Sequence, residues 1–451
     1  MSAQESLAAL EEARSRLAGS PARARLRQLM EEGSFVELGA FCGGQEDPCT
    51  VVTGCGVIGG RAVYAFAQDP DCLGGALGRL EGEKIERLYR LAQQNGAPVV
   101  GIYDSAGAKT AQGVEALAAY SRLIGAASRL SGVVPQISVI AGCCLGSAAV
   151  LAGLADLVIM SETAEFSAGT SGQGDASAGA AAKTGLCHMT AADAGSAIEL
   201  ARQALLLLPA NNLSCAPISD FADGEDAFTG EETPVQTVEK IADRQSLMPL
   251  LARMGGGVQV SLGSLCGITT LFAAVQGPLA AEGCAKLARC VSFCDCFQIP
   301  VVTVIDSEGF APDAAGAREY AKLAAVYADS TAPKLALVTG EACGAVFLTL
   351  AGRGGSADWV LAWPDAVISA LRPETAVAFT GGGEITAAVS RAEAVAHYAK
   401  TQASPFAAAA AGCLDEIIRP EETRLAVAKA MDFLADKRVD KMPKKHANLP
   451  L

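Results

Sequence analysis

The chain has 451 residues, 51% of them hydrophobic and only 5% aromatic, with 48 glycines. That is a globular composition too long for one ordinary core, so two units of about 200 residues each are expected, filled by Ala, Val, Leu and close backbone packing. A formal charge of −14, with no basic cluster before the last dozen residues, argues against nucleic acid and anionic membranes as partners.

In chain order, "SAQESLAALEEARSRLAGS" (2–20) is polar where a secretory signal would carry an apolar core, which predicts a helical segment over 1–24 and a cytoplasmic protein. A first α/β domain is expected over 25–210. Within it, "VVPQISVIAGCCLGSAAVLAGLADLVIM" (133–160) has the length of a membrane span. Its Pro135, Gln136, Asp156 and glycines predict instead a strand, a tight turn and a buried helix. "PANNLSCAPISDFADGEDAFTGEETPVQ" (209–236) lacks periodicity, so a linker is placed at 211–239 and a second domain at 240–451. Fifteen cysteines occur without a CxxC pair, and the densest group, Cys284, Cys290, Cys294 and Cys296, follows a helical pattern. Packing residues are expected there, with no metal site and no disulfides.

The chain repeats itself. Residues 84–107 laid over 286–309 pair Lys84 with Lys286, Arg87 with Arg289, Asp104-Ser105 with Asp306-Ser307, and Gly107 with Gly309. "PQISVIAGCCLGSAAV" (135–150) then runs beside "PKLALVTGEACGAVFL" (333–348), and "ADLVIMSETAEFS" (155–167) beside "ADWVLAWPDAVIS" (357–369), where "GRGG" (352–355) inserts four residues. Order and spacing kept over about 80 residues imply an internal duplication. Each copy reads as helix, buried strand, polar-Gly turn, helix, buried strand, Gly turn, helix and strand, an α/β unit with right-handed crossovers.

Function in such sheets collects at the carboxyl ends of the strands. Those ends carry "DSAGAK" (104–109), "AGCCLGSAA" (141–149), "DSEGFAPD" (306–313) and "GEACGAVF" (340–347). Side-chain acids and bases are scarce: His188, His397 and His446 are the three histidines, and none is spaced for a Ser-His-Asp triad. Gly146-Ser147 and Gly344-Ala345 occupy matching turns, and backbone N–H groups at such turns suit an oxygen that gains negative charge. Close helix packing is the plainer alternative for the same glycines. No G-x-x-x-x-G-K-[ST] and no biotin-attachment sequence is present.

At these turns, and along "EEGSFVELG" (31–39), "VVTGCGVIGGRAVYAFAQD" (51–69), "GAPVVGIYDSAGAKTAQGVEALAAY" (96–120), "LPANNLSCAPI" (208–218), "FCDCFQIPVVTVIDSEGF" (293–310) and "KKHANLPL" (444–451), the chain resembles the carboxyltransferase subunits of biotin-dependent acyl-CoA carboxylases and decarboxylases. The resemblance implies two duplicated crotonase-like domains. It also implies carboxyl transfer between biotin on a separate carrier protein and the α-carbon of an acyl-CoA, with a thioester enolate and a ureido oxygen as the anions to be held. It would place the thioester oxygen at Gly146 and Ser147, and the biotin carbonyl at Gly344 and Ala345, with Val346 as the alternative donor. Ala106, Gly107, Ala108 and Lys109 would lie beside the CoA pocket, Gly309 and Phe310 at the matching turn, and Leu348 beside the acyl pocket.

The implied partners are a biotin carboxyl carrier protein, a biotin carboxylase subunit or membrane decarboxylase subunits, and further copies of the chain, from dimer to hexamer. Ala106, Ser147, Lys109 and Glu308 depart from the Gly, Gly, Arg and Pro of the family pattern, so whether these turns accept a Cβ decides between an active enzyme and a silent homologue. A stand-alone crotonase-type hydratase or hydrolase would need an acid/base pair that the sequence does not offer.

Overall fold

The protein is described by a computed structural model over residues 3–17, 19–43, 48–169, 174–222, 227–314, 316–380 and 390–442. The stretch 444–451, with His446, lies outside the described residues, as do parts of 209–236. The chain forms two compact units, Met1–Ala216 and Pro217–Leu451.

The first unit opens with helices α1 (Ala3–Leu17) and α2 (Pro21–Leu29). Ser20 caps α2 by accepting the Arg23 N–H, Pro21 supplies a preset first turn, and Ala22, Leu26 and Leu29 are buried. Strands β1 (Val36–Leu38), β2 (Val51–Ile58), β3 (Arg61–Gln68), β4 (Val99–Ser105), β5 (Gln136–Leu145), β6 (Leu157–Ser161), β7 (Glu165–Ser167) and β8 (Met189–Ala191) form one sheet in the order β1-β2-β3-β4-β5-β6-β8, with β7 paired to β5. The meander β1–β3 is antiparallel and the rest parallel. Helices α3 (Arg79–Asn95) and α4 (Val114–Leu130) precede and follow β4, and α5 (Ser147–Ala152) follows β5. Ile85, Leu88 and Tyr89 of α3 share a core with Phe66, Val99, Leu123 and Ile140. The helices α6 (Ala178–Lys183) and α7 (Ala194–Leu207) complete the unit, with α7 packed on β5 and α2. The span-length run 133–160 is thus strand, turn, short helix and strand, and among the described residues no helix is long and apolar enough to cross a membrane.

The second unit repeats this plan. Its strands are β9 (Met248–Leu250), β10 (Val258–Leu265), β11 (Ile268–Gln276), β12 (Val301–Ser307), β13 (Lys334–Cys343), β14 (Trp359–Ala362), β15 (Val367–Ser369) and β16 (Glu416–Ile417), in the order β16-β14-β13-β12-β11-β10-β9 with β15 off β13. The helix α8 (Pro234–Ile241) starts at a Thr233–Gln236 capping box inside the stretch 211–239, and buries Val238 and Ile241 against Phe272 and Val302. Then α9 (Ala281–Cys296), α10 (Ala317–Asp329) and α11 (Ala345–Leu350) take the places of α3, α4 and α5. Cys284, Cys290 and Cys294 are buried on α9, and Cys296 ends it in solvent.

The duplication reaches further than the sequence match. Both units carry the antiparallel meander, and both hairpins close through two residues of positive φ: Gly59-Gly60 between Ile58 and Arg61, and Cys266-Gly267 between Leu265 and Ile268. The four-residue change of offset between the copies is one helical turn, since α4 has 17 residues and α10 has 13. The insertion 352–355 lies in the loop between α11 and β14.

Several repeated polar residues have matching structural work. Lys84 Nζ donates to the Val51 carbonyl (2.8 Å), and Lys286 Nζ to that of Val258 (2.7 Å), at the first residue of β2 and β10 respectively. Asp156 accepts the Gln136 N–H (2.9 Å) and Asp358 the Lys334 N–H (2.8 Å), each at the start of a central strand.

Lys334 also carries a pH dependence. It is 3% exposed, with Nζ donating to the Ser330 carbonyl at 2.6 Å. Burial first, then the cation of Lys437, pushes its pKa down to about 8, against the pull of Asp358 and Asp295. Between that value and the ordinary lysine range the unfolded chain binds more protons than the folded one, so stability rises with pH in this window. Urea unfolding at pH 8.0 and 9.5 is expected to show a gain of about 1–2 kcal/mol, and Lys334→Met is expected to flatten it.

Candidate functional site

The repeated Asp-Ser-x-Gly is a turn-building device. Asp104 Oδ1 accepts the Cys143 N–H (3.2 Å), and Asp306 Oδ1 the Glu341 N–H (2.8 Å), tying the end of β4 to β5 and of β12 to β13. Ser105 Oγ donates to the Gly75 carbonyl (2.8 Å) and accepts the Gly107 N–H (3.1 Å). Ser307 Oγ does the same with Gly277 (2.7 Å) and Gly309 (3.4 Å). Gly107 and Gly309 have φ of 106° and 139°, and a Cβ on Gly107 would sit 3.0 Å from the Leu145 carbonyl. The loop after β4 therefore lies directly against the end of β5.

At the end of β5, Gly146 (φ 57°, ψ −124°) turns the chain into α5; at the end of β13, Gly344 (φ 61°, ψ −136°) turns it into α11. These angles are open to glycine and strained for other residues. The N–H of Gly146 donates to the Ser167 carbonyl (2.7 Å) and that of Gly344 to the Ser369 carbonyl (2.8 Å). The N–H groups of the two expected donors Gly146 and Gly344 are thus engaged within the fold, and the next amides along the chain are those of Ser147 and Ala345.

A second amide stands at each turn. Gly107 accepts from Leu77 N–H (2.8 Å) and Lys109 N–H donates to Leu77 (2.9 Å), so the Ala108 N–H between them faces the other way. Gly309, Phe310 and Ala311 stand in the same relation to Leu279, both bonds being 2.9 Å. Among the described residues, none of the amides of Ala108, Ser147, Phe310 and Ala345 meets an acceptor. Each unit therefore offers one pair of backbone donors at its central strand ends, from two loops rather than one.

Residues 18–449 match the family model described as the carboxyl transferase domain. The chain belongs to the carboxyl transferase family. It is 34% identical to the methylmalonyl-CoA decarboxylase subunit alpha of Veillonella parvula, over 95% of this chain and 93% of that one. It is 33% identical to the methylmalonyl-CoA carboxyltransferase 12S subunit of Propionibacterium freudenreichii subsp. shermanii, over 95% and 91%. A crystal structure of a transcarboxylase 12S hexamer, with methylmalonyl-coenzyme A and methylmalonic acid bound, superposes with a TM-score of 0.93 at 29% identity over 100% of this chain and 99% of that one. The fold is accordingly the crotonase-like carboxyltransferase fold, and the enzyme class is carboxyltransferase.

Ala106 and Ser147, where the family pattern has Gly, both have negative φ, so neither Cβ strains its turn. The Ala106 N–H is used by the Gly74 carbonyl (2.9 Å). Lys109 is not a surface cation facing a pocket: its Nζ lies 2.8 Å from Glu81, and both side chains are buried, at 5% and 0% exposure. Val346 is buried within α11, and Leu348 is exposed on it. Phe310 stacks on Tyr320 at 4.4 Å between ring centroids.

His188 is buried, with Nδ1 accepting the Val158 N–H (3.1 Å), and His397 is exposed on the helix Arg391–Thr401. The exposed Cys143 beside the first turn has its thiol pKa raised by partial burial and then by Asp104, which keeps it protonated. Sequence reasoning did not foresee one ion-pair cluster near the second turn, Arg372 with Glu308 (2.6 Å) and Glu341 (2.9 Å). Arg372 follows the region of the repeat match, which left it without a signal.

Proposed function

We propose that this chain is the carboxyltransferase subunit of a biotin-dependent complex, moving a carboxyl group between biotin on a separate carrier protein and the α-carbon of a short-chain acyl-CoA. The observation that carries this reading is the duplicated pair of unengaged amides, Ala108 with Ser147 in the first unit and Phe310 with Ala345 in the second. Biotin would supply the ureido nitrogen that carries the carboxyl group. The chain's own part is to hold two oxygens: the thioester oxygen at Ala108 and Ser147, and the ureido oxygen at Phe310 and Ala345. Donors set in advance at the place where charge develops need no reorganisation during reaction, and loss of one costs on the order of 100- to 1,000-fold.

Relatives named for methylmalonyl-CoA and propionyl-CoA support a substrate of that size, and Leu348 offers an apolar contact for a short alkyl group. The partners in this reading are a biotin carboxyl carrier protein and either a biotin carboxylase subunit or membrane decarboxylase subunits. Self-assembly up to a hexamer, the state of the transcarboxylase 12S, would also cover exposed apolar residues such as Leu348 and Phe379.

The test mixes the purified protein with free biotin and malonyl-CoA or methylmalonyl-CoA, and follows loss of the carboxyl group by mass spectrometry. Loss that requires biotin is expected. Turnover without biotin would favour a crotonase-type hydrolase, and no turnover from an assembled protein would favour a silent structural subunit.

A further inference from the structure

Cys42 and Cys49 lie between β1 and β2. Gly43 and Pro48 pair antiparallel, which sets Cys42 opposite Cys49 one step further along the ribbon. Opposed residues of such a pair stand about 4.5–5.5 Å apart at Cα with their side chains on one face, inside the roughly 4.4–6.8 Å that a disulfide spans. The side chains agree with that register. Cys49 Sγ donates to the Val51 carbonyl at 3.4 Å, and Lys84 Nζ donates to the same carbonyl at 2.8 Å. Cys42 Sγ and Lys84 Cε meet over Gly39, where an added Cβ would lie 3.1 Å from one and 3.6 Å from the other. Both thiols therefore lie beside the end of the Lys84 side chain.

The two thiols differ in access. Cys42 is exposed and Cys49 half-buried. Burial raises the Cys49 pKa against the pull of the Lys84 cation, and Glu81 and Cys42 raise it further. An exposed thiol that meets the oxidant first, with a protected thiol beside it, is the arrangement that resolves as a disulfide. Cys72 also lies near enough to Cys49 for the two to interact electrostatically, which makes it the competing partner. The ribbon is tied to the first turn of the site. Lys109 Nζ donates to the Pro48 carbonyl (3.2 Å) and pairs with Glu81 (2.8 Å), and Glu81 accepts the Thr50 N–H (3.2 Å). Cys49 is thus flanked by two residues that bind the Lys109–Glu81 pair, and Lys109 directly follows Ala108.

We propose that Cys42 and Cys49 are a redox-active pair, joined as a disulfide by hydrogen peroxide, and that the cross-link acts on the first turn through Pro48 and Lys109. The Cys42 sulfur attacks the O–O bond, keeps one oxygen as a sulfenic acid and releases the other as water. The Cys49 sulfur then attacks the sulfenic sulfur, so that the S–O bond breaks, an S–S bond forms, and the oxygen leaves as a second water with the Cys49 proton. The two thiols lose two electrons and the peroxide gains them, and a dithiol reductant reverses the step. Closing the sulfurs to about 2.05 Å draws Cys49 off the Val51 carbonyl and moves the adjoining Pro48 carbonyl against Lys109.

The test treats the full-length protein with hydrogen peroxide, blocks the remaining thiols with iodoacetamide, and digests it unreduced with trypsin and a glutamate-specific protease. Cleavage after Glu37, Glu46 and Arg61 puts Cys42 in the peptide 38–46 and Cys49 in 47–61, and mass spectrometry reads whether the two are linked. The link is expected in most of the protein, and dithiothreitol added before blocking should remove it. Cys49→Ser should abolish the link and leave Cys42 at the sulfenic or sulfinic stage. Amide hydrogen exchange over 104–110 should change about threefold or more in the oxidised wild type, and not in oxidised Cys42→Ser. A link to Cys72 or between molecules in its place, a link that survives Cys49→Ser, or oxidised Cys42 without a link overturns the pairing. A Cys42–Cys49 disulfide with unchanged exchange overturns its action on the first turn. None of these readouts uses turnover, so failure of the carboxyltransferase reading leaves them unaffected.

Discussion

Gly146→Ala is expected to lower biotin-dependent carboxyl loss by 100- to 1,000-fold in a protein that still folds. At φ 57° and ψ −124° this residue sits where a Cβ is strained, although the space around it is open, with no atom within 4 Å of the added carbon. Strain of about 1–3 kcal/mol can be relieved by rotating the Gly146–Ser147 peptide, and that rotation takes the Ser147 N–H away from its partner at Ala108. The effect should fall on kcat, because the oxygen gains its charge after the substrate has bound. Gly344→Ala is expected to be at least as severe, since its Cβ would also press on the Ala370 carbonyl at 3.2 Å. Ser147→Gly is the control: Ser147 is the first residue of α5, so activity within a few-fold of the starting protein is expected. Steady-state kinetics with circular dichroism separate these outcomes, and a Gly146→Ala protein of unchanged kcat would sink the two-amide account.

Lys109→Ala is expected to destabilise the first unit by about 3–5 kcal/mol. Its partner Glu81 is wholly buried and also accepts the N–H groups of Thr50 (3.2 Å) and Gly78 (2.9 Å). Deleting the lysine leaves a carboxylate away from water with only neutral donors, and that uncompensated charge dominates the cost. The double variant Lys109→Met, Glu81→Gln should be more stable than Lys109→Ala, because it removes the orphaned charge along with the cation. Urea denaturation of the single and double variants measures the coupling. Activity should fall with stability here, since Gly78 adjoins Leu77, which holds the loop of Gly107 and Ala108 from both sides.

Much of this architecture was legible in the sequence because it rests on local chemistry. Continuous apolar runs such as "PVVGIYD" can only be strands covered on both faces, and a duplicated Asp-Ser-x-Gly can only be a turn used twice. The position of the Gly turns between strand and helix was legible for the same reason. The antiparallel meander of each unit was not, because a hairpin is defined by turn angles and alternate burial rather than by identity, and Cys266-Gly267 does not resemble Gly59-Gly60.

What the tertiary structure decided was which polar groups remain available. In one dimension Gly146 and Ser147 are equal donors and Lys109 is a free cation. In three, β7 lies beside β5 and takes the Gly146 N–H, Leu77 lies beside the Gly107 loop and turns the Ala108 N–H outward, and Glu81 on α3 claims Lys109. Glu341 and Arg372 meet near the second turn only because β15 returns alongside β13. The sequence determined the fold and the places of its turns through patterns a few residues long, whereas the donors and charges left for chemistry are those that long-range pairing did not use.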